Sequence, residues 1–210
     1  MFELLLGTMS DISNIEQPPM GTPIAGYWGI VEEEDFISAS ELITKIGLTA
    51  GTTVSTPKPA WLKFSSANKV IYMALRAFKH TLTWDSIYNR GAAFDVLGDQ
   101  SKPAHLTEVV QNATVTIGDT IYRVRLPTDQ EWTNLVYPLV NEWDPTVLQK
   151  MNIGNVTGAA RWLLNVGRSS SYRRWRGWTS ITATTADGTA TNTAPSSSGW
   201  APILEPIGKV

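Results

Sequence analysis

The run Tyr172-Arg173-Arg174-Trp175-Arg176-Gly177-Trp178 concentrates the side chains best suited to gripping a partner. Guanidinium forks bind carboxylates and phosphates bidentately, and indoles offer stacking and cation–π faces. Such groups dominate interface hot spots. Strand alternation over this run puts Tyr172, Arg174 and Arg176 on one face and Arg173, Trp175 and Gly177 on the other. The candidate partner-binding residues are therefore Tyr172, Arg173, Arg174, Trp175, Arg176 and Trp178. Three roles stay open for them: contact with a neighbouring subunit, contact with an anionic glycan, or a structural role in which a tryptophan joins the core.

Catalytic chemistry finds no comparable cluster. His80 and His105 stand 25 residues apart, in no metal-ligand spacing. There is no Gly-x-Ser-x-Gly elbow and no glycine-rich phosphate loop ahead of a helix. Cysteine is absent, which removes disulfides, thiolate metal sites and a thiol nucleophile, and suits assembly in a reducing cytoplasm. The expectation is no enzyme, no catalytic residue, no metal and no cofactor.

A scaffold must hold such a patch without thiols. The 210 residues are 42% hydrophobic, enough for a packed core that buries roughly 70% of the unfolded surface. Nine tryptophans (Trp28, Trp61, Trp84, Trp132, Trp143, Trp162, Trp175, Trp178, Trp200) point to a core pinned by aromatics, each with one N–H to satisfy. The net charge of −2 argues against nucleic-acid binding. Its distribution is uneven: residues 1–50 carry eight acidic and one basic side chain, and residues 161–210 six basic and two acidic. Ends of opposite sign can attract within or between subunits, or simply be two solvated faces. No stretch approaches the ~20 apolar residues of a membrane span. The opening Met1-Phe2-Glu3-Leu4-Leu5-Leu6 lacks the basic flank of a signal peptide, so neither membrane insertion nor secretion is expected.

Residues 1–35 read as an extended N-terminal arm, because Gln17-Pro18-Pro19-Met20-Gly21-Thr22-Pro23 sustains neither helix nor central strand. Residues 36–210 read as one domain. Ser38-Ala39-Ser40-Glu41 is a capping box opening a helix over 39–46, closed by Gly47. Strands are expected at 61–64 and 69–77, with 65–68 as their turn, and a short helix follows the N-cap Thr83. After an irregular stretch at 95–112, residues 115–126 form a hairpin about Gly118-Asp119. Thr128 and Glu131 make a second capping box; Trp132, Leu135 and Val136 face inward, and Pro138 limits the helix. Further strands are expected at 160–164 and 178–183, a loop at 184–199, and a closing edge or short strand at 200–206 with two prolines. The fold class is α+β: short antiparallel strands, two or three short helices and long loops.

Two segments carry a resemblance. Arg125-Leu126-Pro127-Thr128-Asp129-Gln130-Glu131-Trp132 resembles the Arg-Leu-Pro-Thr-x-x-Glu-Trp segment of the formylglycine-generating-enzyme and C-type-lectin-like superfamily. Gly199-Trp200-Ala201-Pro202-Ile203-Leu204-Glu205 resembles the Gly-Trp/Phe-Arg-Pro-Val-Leu-Glu ending of phage proteins with that fold. The stretches 46–52, 61–64 and 82–87 are similar to a module of virion structural and tail proteins of large tailed phages.

The resemblance implies a C-type-lectin-like domain whose first and last strands pair, with long loops presenting variable side chains. It further implies a virion location, with other virion proteins as partners through the arm, further copies of the chain, and, in an adhesin, a host carbohydrate. Ala201 stands where the family often has arginine, which puts a C-terminal salt bridge in doubt. The superfamily's copper chemistry needs cysteines, and its iron chemistry a histidine-rich site, so neither activity is expected. Asn141-Glu142-Trp143-Asp144-Pro145 offers oxygens and a tryptophan, but not the order of lectin calcium triplets, and cap and turn roles are preferred. The function expected is a non-enzymatic bacteriophage structural protein, in capsid, tail or fibre, with a carbohydrate-binding adhesin as the alternative.

Overall fold

The computed structural model describes residues 26–66, 69–94, 102–140, 145–151, 160–167, 169, 171–177, 180 and 188–210. In chain order the elements are β1 (Gly26–Glu32), a 3-10 turn (Glu33–Asp35), α1 (Ala39–Ile46), β2 (Thr52–Thr53), β3 (Ala60–Ser66), β4 (Lys69–Ala74), β5 (Lys79–His80) and α2 (Trp84–Tyr88). There follow β6 (Thr114–Ile117), β7 (Thr120–Arg125), α3 (Asp129–Glu131) continuing into a widened turn (Trp132–Val136), α4 (Pro145–Lys150), β8 (Ala160–Val166), β9 (Tyr172–Arg176), β10 (Thr189–Ala190), β11 (Ser198–Trp200) and β12 (Ile203–Lys209).

Local signals fix several of these. The Ser38 hydroxyl accepts from the Glu41 N–H at 3.1 Å. Gly47 takes the left-handed conformation at φ 66°, with the Leu48 N–H bonded to Ile43 O at 3.1 Å. The return arm of the first capping box is not formed; Glu41 instead meets Lys45 one turn on, at 3.5 Å. The Thr128–Glu131 box is complete, at 2.9 and 2.8 Å.

The described strands form two six-stranded sheets, in the orders β1-β3-β4-β12-β7-β6 and β10-β9-β8-β11-β5-β2. Pairing is antiparallel except between β8 and β11. With the few short helices, this is an α+β architecture. The middle of the first sheet is buried on both faces. Trp61, Ala74 and Leu204 enter one core with Phe78, Trp84, Trp162 and Trp200. Their neighbours Leu62, Met73 and Ile203 enter a second core with Trp132, Leu135 and Met151. A period of two thus splits adjacent apolar residues between two cores, which is why β4 reads as a continuous apolar run.

Trp61, Trp84, Trp132, Trp162 and Trp200 are wholly buried. Trp61, Trp84 and Trp162 donate to the carbonyls of Ile37, Leu163 and Leu82 at 2.9, 3.2 and 3.1 Å, so these indoles tie distant loops to the core without an orphaned donor.

Several expectations need correcting. Residues 26–32, within the stretch expected as an arm, are built into the first sheet as β1, which pairs with β3, and residues 33–35 form a 3-10 turn. A bulge makes this work. Tyr27 faces Phe64 and Gly29 faces Lys63, leaving Trp28 as the extra residue, with Gly29 at φ 112°. Tyr27 and Ile30, three apart, can then both lie on the second core. Residues 1–25 lie outside the described residues.

The first and last strands do not pair. The β3–β4 hairpin intervenes, and β12 is an interior strand between β4 and β7. Pro206 is tolerated there because β12 contacts β4 only at Ile203 and Leu204, and its pairing with β7 shifts between Pro206 and Gly208.

Pro138 does not end its helix. The turn from Trp132 widens so that the Tyr137 N–H bonds Trp132 O, five residues back, and the helical path runs on through Val140. Within the expected loop 184–199 the structure has β10 and the start of β11. The strand expected at 178–183 falls outside the described residues, apart from Ser180.

Candidate functional site

β8 and β9 run antiparallel with Arg161 opposite Arg176 and Trp162 opposite Trp175. One face of this pair turns into the first core. There Trp175 packs, its indole N–H on Thr189 Oγ1 at 2.7 Å. Arg173 is fully buried with its guanidinium 4.2 Å from the Trp84 ring and 5.7 Å from Phe94, and it donates to Tyr172 O at 3.1 Å. Its charge is thus held by aromatic faces.

The other face carries Arg161, Arg174 and Arg176, with Tyr172 on it by alternation. Asp129, in the first turn of α3, takes Arg176 at 2.6 Å and Arg174 at 3.5 Å. Asn165 on β8 fixes that turn by accepting from the Asp129 N–H at 2.6 Å. Arg161 lies wholly buried beneath, 5.4 Å from the Trp132 ring, and donates to Leu75 O at 3.2 Å and to Met151 O. Burial, and then the charge of Arg76, pushes the Arg161 guanidinium down to about 9.

The predicted cluster is therefore divided. Arg174, Arg176 and Tyr172 share a face, Arg173 is buried in the core with Trp175 half-buried against it, and Trp178 lies outside the described residues. Sequence reasoning missed Arg161, Arg76 and Asp129. The signal for the two arginines was a single charge inside an apolar run, as in Ala160-Arg161-Trp162 and Leu75-Arg76-Ala77; Asp129, in the polar turn 128–131, carried no such signal.

A second arginine marks the β7–α3 junction. Arg125 donates to both oxygens of Glu131, at 2.8 and 2.5 Å, and to Glu205 at 3.2 Å. Burial lowers its proton affinity, but the two carboxylates more than offset this and hold it above the ordinary arginine value. Near the C-terminus a salt bridge is made between Glu205 and Arg125.

The histidines act separately. His80 Nδ1 meets Thr81 Oγ1 at 2.8 Å. His105 Nε2 meets the buried Asp85 at 2.7 Å, pinning the loop 102–112 to α2. Beside it is an open cleft of about 390 Å³ lined in part by Tyr88, Phe94, Lys102 and Gln111. Among the described residues no three His, Asp or Glu side chains converge as metal ligands, and no helix is long and apolar enough to cross a membrane. Asn141, Glu142, Trp143 and Asp144, weighed as calcium ligands, lie outside the described residues.

No family model, curated protein or solved structure matches the chain.

Proposed function

We propose that the chain is a non-enzymatic structural component of a tailed-phage virion, built on a C-type-lectin-like domain and acting through protein–protein contacts. One observation carries the reading. The two segments that bear the resemblance, 125–132 and 199–205, are far apart in sequence, yet they are joined by one buried side chain: Arg125 bonds Glu131 of the first and Glu205 of the second. The 126–132 turn also stands at the passage from sheet to helix, where such a domain needs it. Beside that junction, the β9 arginines supply the polar, bidentate donors of a contact surface, with shape and charge complementarity as the mechanism and no turnover.

The test is particle composition. Mass spectrometry of purified particles should find the full chain at fixed stoichiometry, and deletion of residues 1–25, which spares β1, should leave a folded chain that no longer joins the particle. A chain found only among unassembled proteins sinks the proposal.

A further inference from the structure

We infer that Arg76, backed by Arg161, is the receptor for a single oxyanion, a carboxylate or phosphate group carried by a ligand. Arg76 lies on the connection between β4 and β5, where the chain passes from one sheet to the other. It is only 7% exposed, and its Nε is buried with no acceptor. It forms no hydrogen bond or ion pair with any described residue. Other buried guanidiniums in this protein are spoken for: Arg125 by two carboxylates, Arg173 by the Trp84 ring. The Glu32 carboxylate, at the end of β1, favours the Arg76 charge from a distance without forming an ion pair with it.

A guanidinium keeps its proton at neutral pH, so Arg76 cannot escape burial by becoming neutral. An unpaired buried charge is costly, and a counter-charge brought by a ligand relieves it. Arg161 adds a second positive charge from behind, bonded to the carbonyl of Leu75, the residue before Arg76. The fork geometry of arginine selects oxyanions.

The experiment is thermal unfolding of the full chain in sodium acetate and in sodium phosphate, each against sodium chloride at equal ionic strength. The expected result is a saturable rise in Tm with at least one anion, about 5–10 °C at roughly a hundredfold excess over its dissociation constant. A rise with acetate alone assigns a carboxylate ligand; a rise with phosphate alone assigns a phosphate ligand. Arg76→Met should abolish the rise, and Arg90→Met, an exposed control, should leave it intact. Should Arg76→Met fail to fold, Arg76→Lys keeps the charge without the fork and should weaken the anion at least tenfold. No rise beyond chloride, a rise that survives Arg76→Met, or unchanged affinity in Arg76→Lys overturns the inference.

Discussion

Arg125 and Arg76 both sit below the surface at or just past the end of a strand, and both stay charged at neutral pH. Arg125 closes a β7, α3 and β12 junction with two carboxylates, and its proton is held more tightly than usual. Arg76 has no carboxylate in contact, and burial loosens its proton. The same side chain thus serves two ends. Paired, it is a fastener whose removal strands two buried acids. Unpaired, it is a socket whose energy is recovered only when something from outside fills it.

The sharpest way to break that contrast is Arg125→Met. The variant keeps the volume but leaves Glu131 and Glu205 without their cation, so stability should fall by about 3–5 kcal/mol in urea unfolding, with an unchanged m-value. A loss under about 1 kcal/mol would show that the junction is held by packing alone and that the fastener role is empty.

How much of this was legible follows from range. The Thr128–Glu131 box, the Gly47 stop and the Gly118 turn are signals within five residues, and each is in place. β1 reads as arm from sequence because proline and glycine dominate what precedes it, while its reason for being a strand is a bulged pairing with β3, some thirty residues on. Pro138 reads as a stop from sequence because the widened turn that accommodates it accompanies the buried packing of Trp132, Leu135 and Val136. The alternation of β9 was legible, and its faces are those expected. What covers each face was not: Trp84 and Phe94 on one side, Asp129 on the other, are tertiary neighbours.

A smaller effect sharpens the comparison from the β9 side. Asp129 is the carboxylate that Arg174 and Arg176 share. Asp129→Asn keeps the shape and removes the charge, and should cost about 1–2 kcal/mol, because the 2.6 Å contact is half-buried and the 3.5 Å one is screened by solvent. It should also leave the anion response assigned to Arg76 intact. If that response disappears with the aspartate, the two arginine regions are one site, and the distinction between fastener and socket fails.

The smallest effect concerns pH, and it separates aromatic packing from the arginines altogether. Tyr72 stacks on Phe36 with ring centres 3.9 Å apart, and meets Tyr122 edge-on at 6.0 Å. Burial, then the charge of Tyr122, pushes its phenol up to about 12. The unfolded chain loses this proton near pH 10, so the folded state holds more protons between about 10 and 12. The resulting stability is complete below pH 10 and is lost as pH rises through 12, amounting to roughly 1 kcal/mol once solvent screening of a half-buried group is allowed for. Lys79 and Arg161, both lowered by burial, carry slopes of the opposite sign, so the difference between the wild type and Tyr72→Phe is the quantity to measure. Urea titrations at pH 9 and pH 11.5 should show the variant losing less stability than the wild type over that interval. Equal losses would mean that the Phe36–Tyr72–Tyr122 stack opens before its phenols ionise, and that these rings hold the face of the first sheet on which they lie only while they are uncharged.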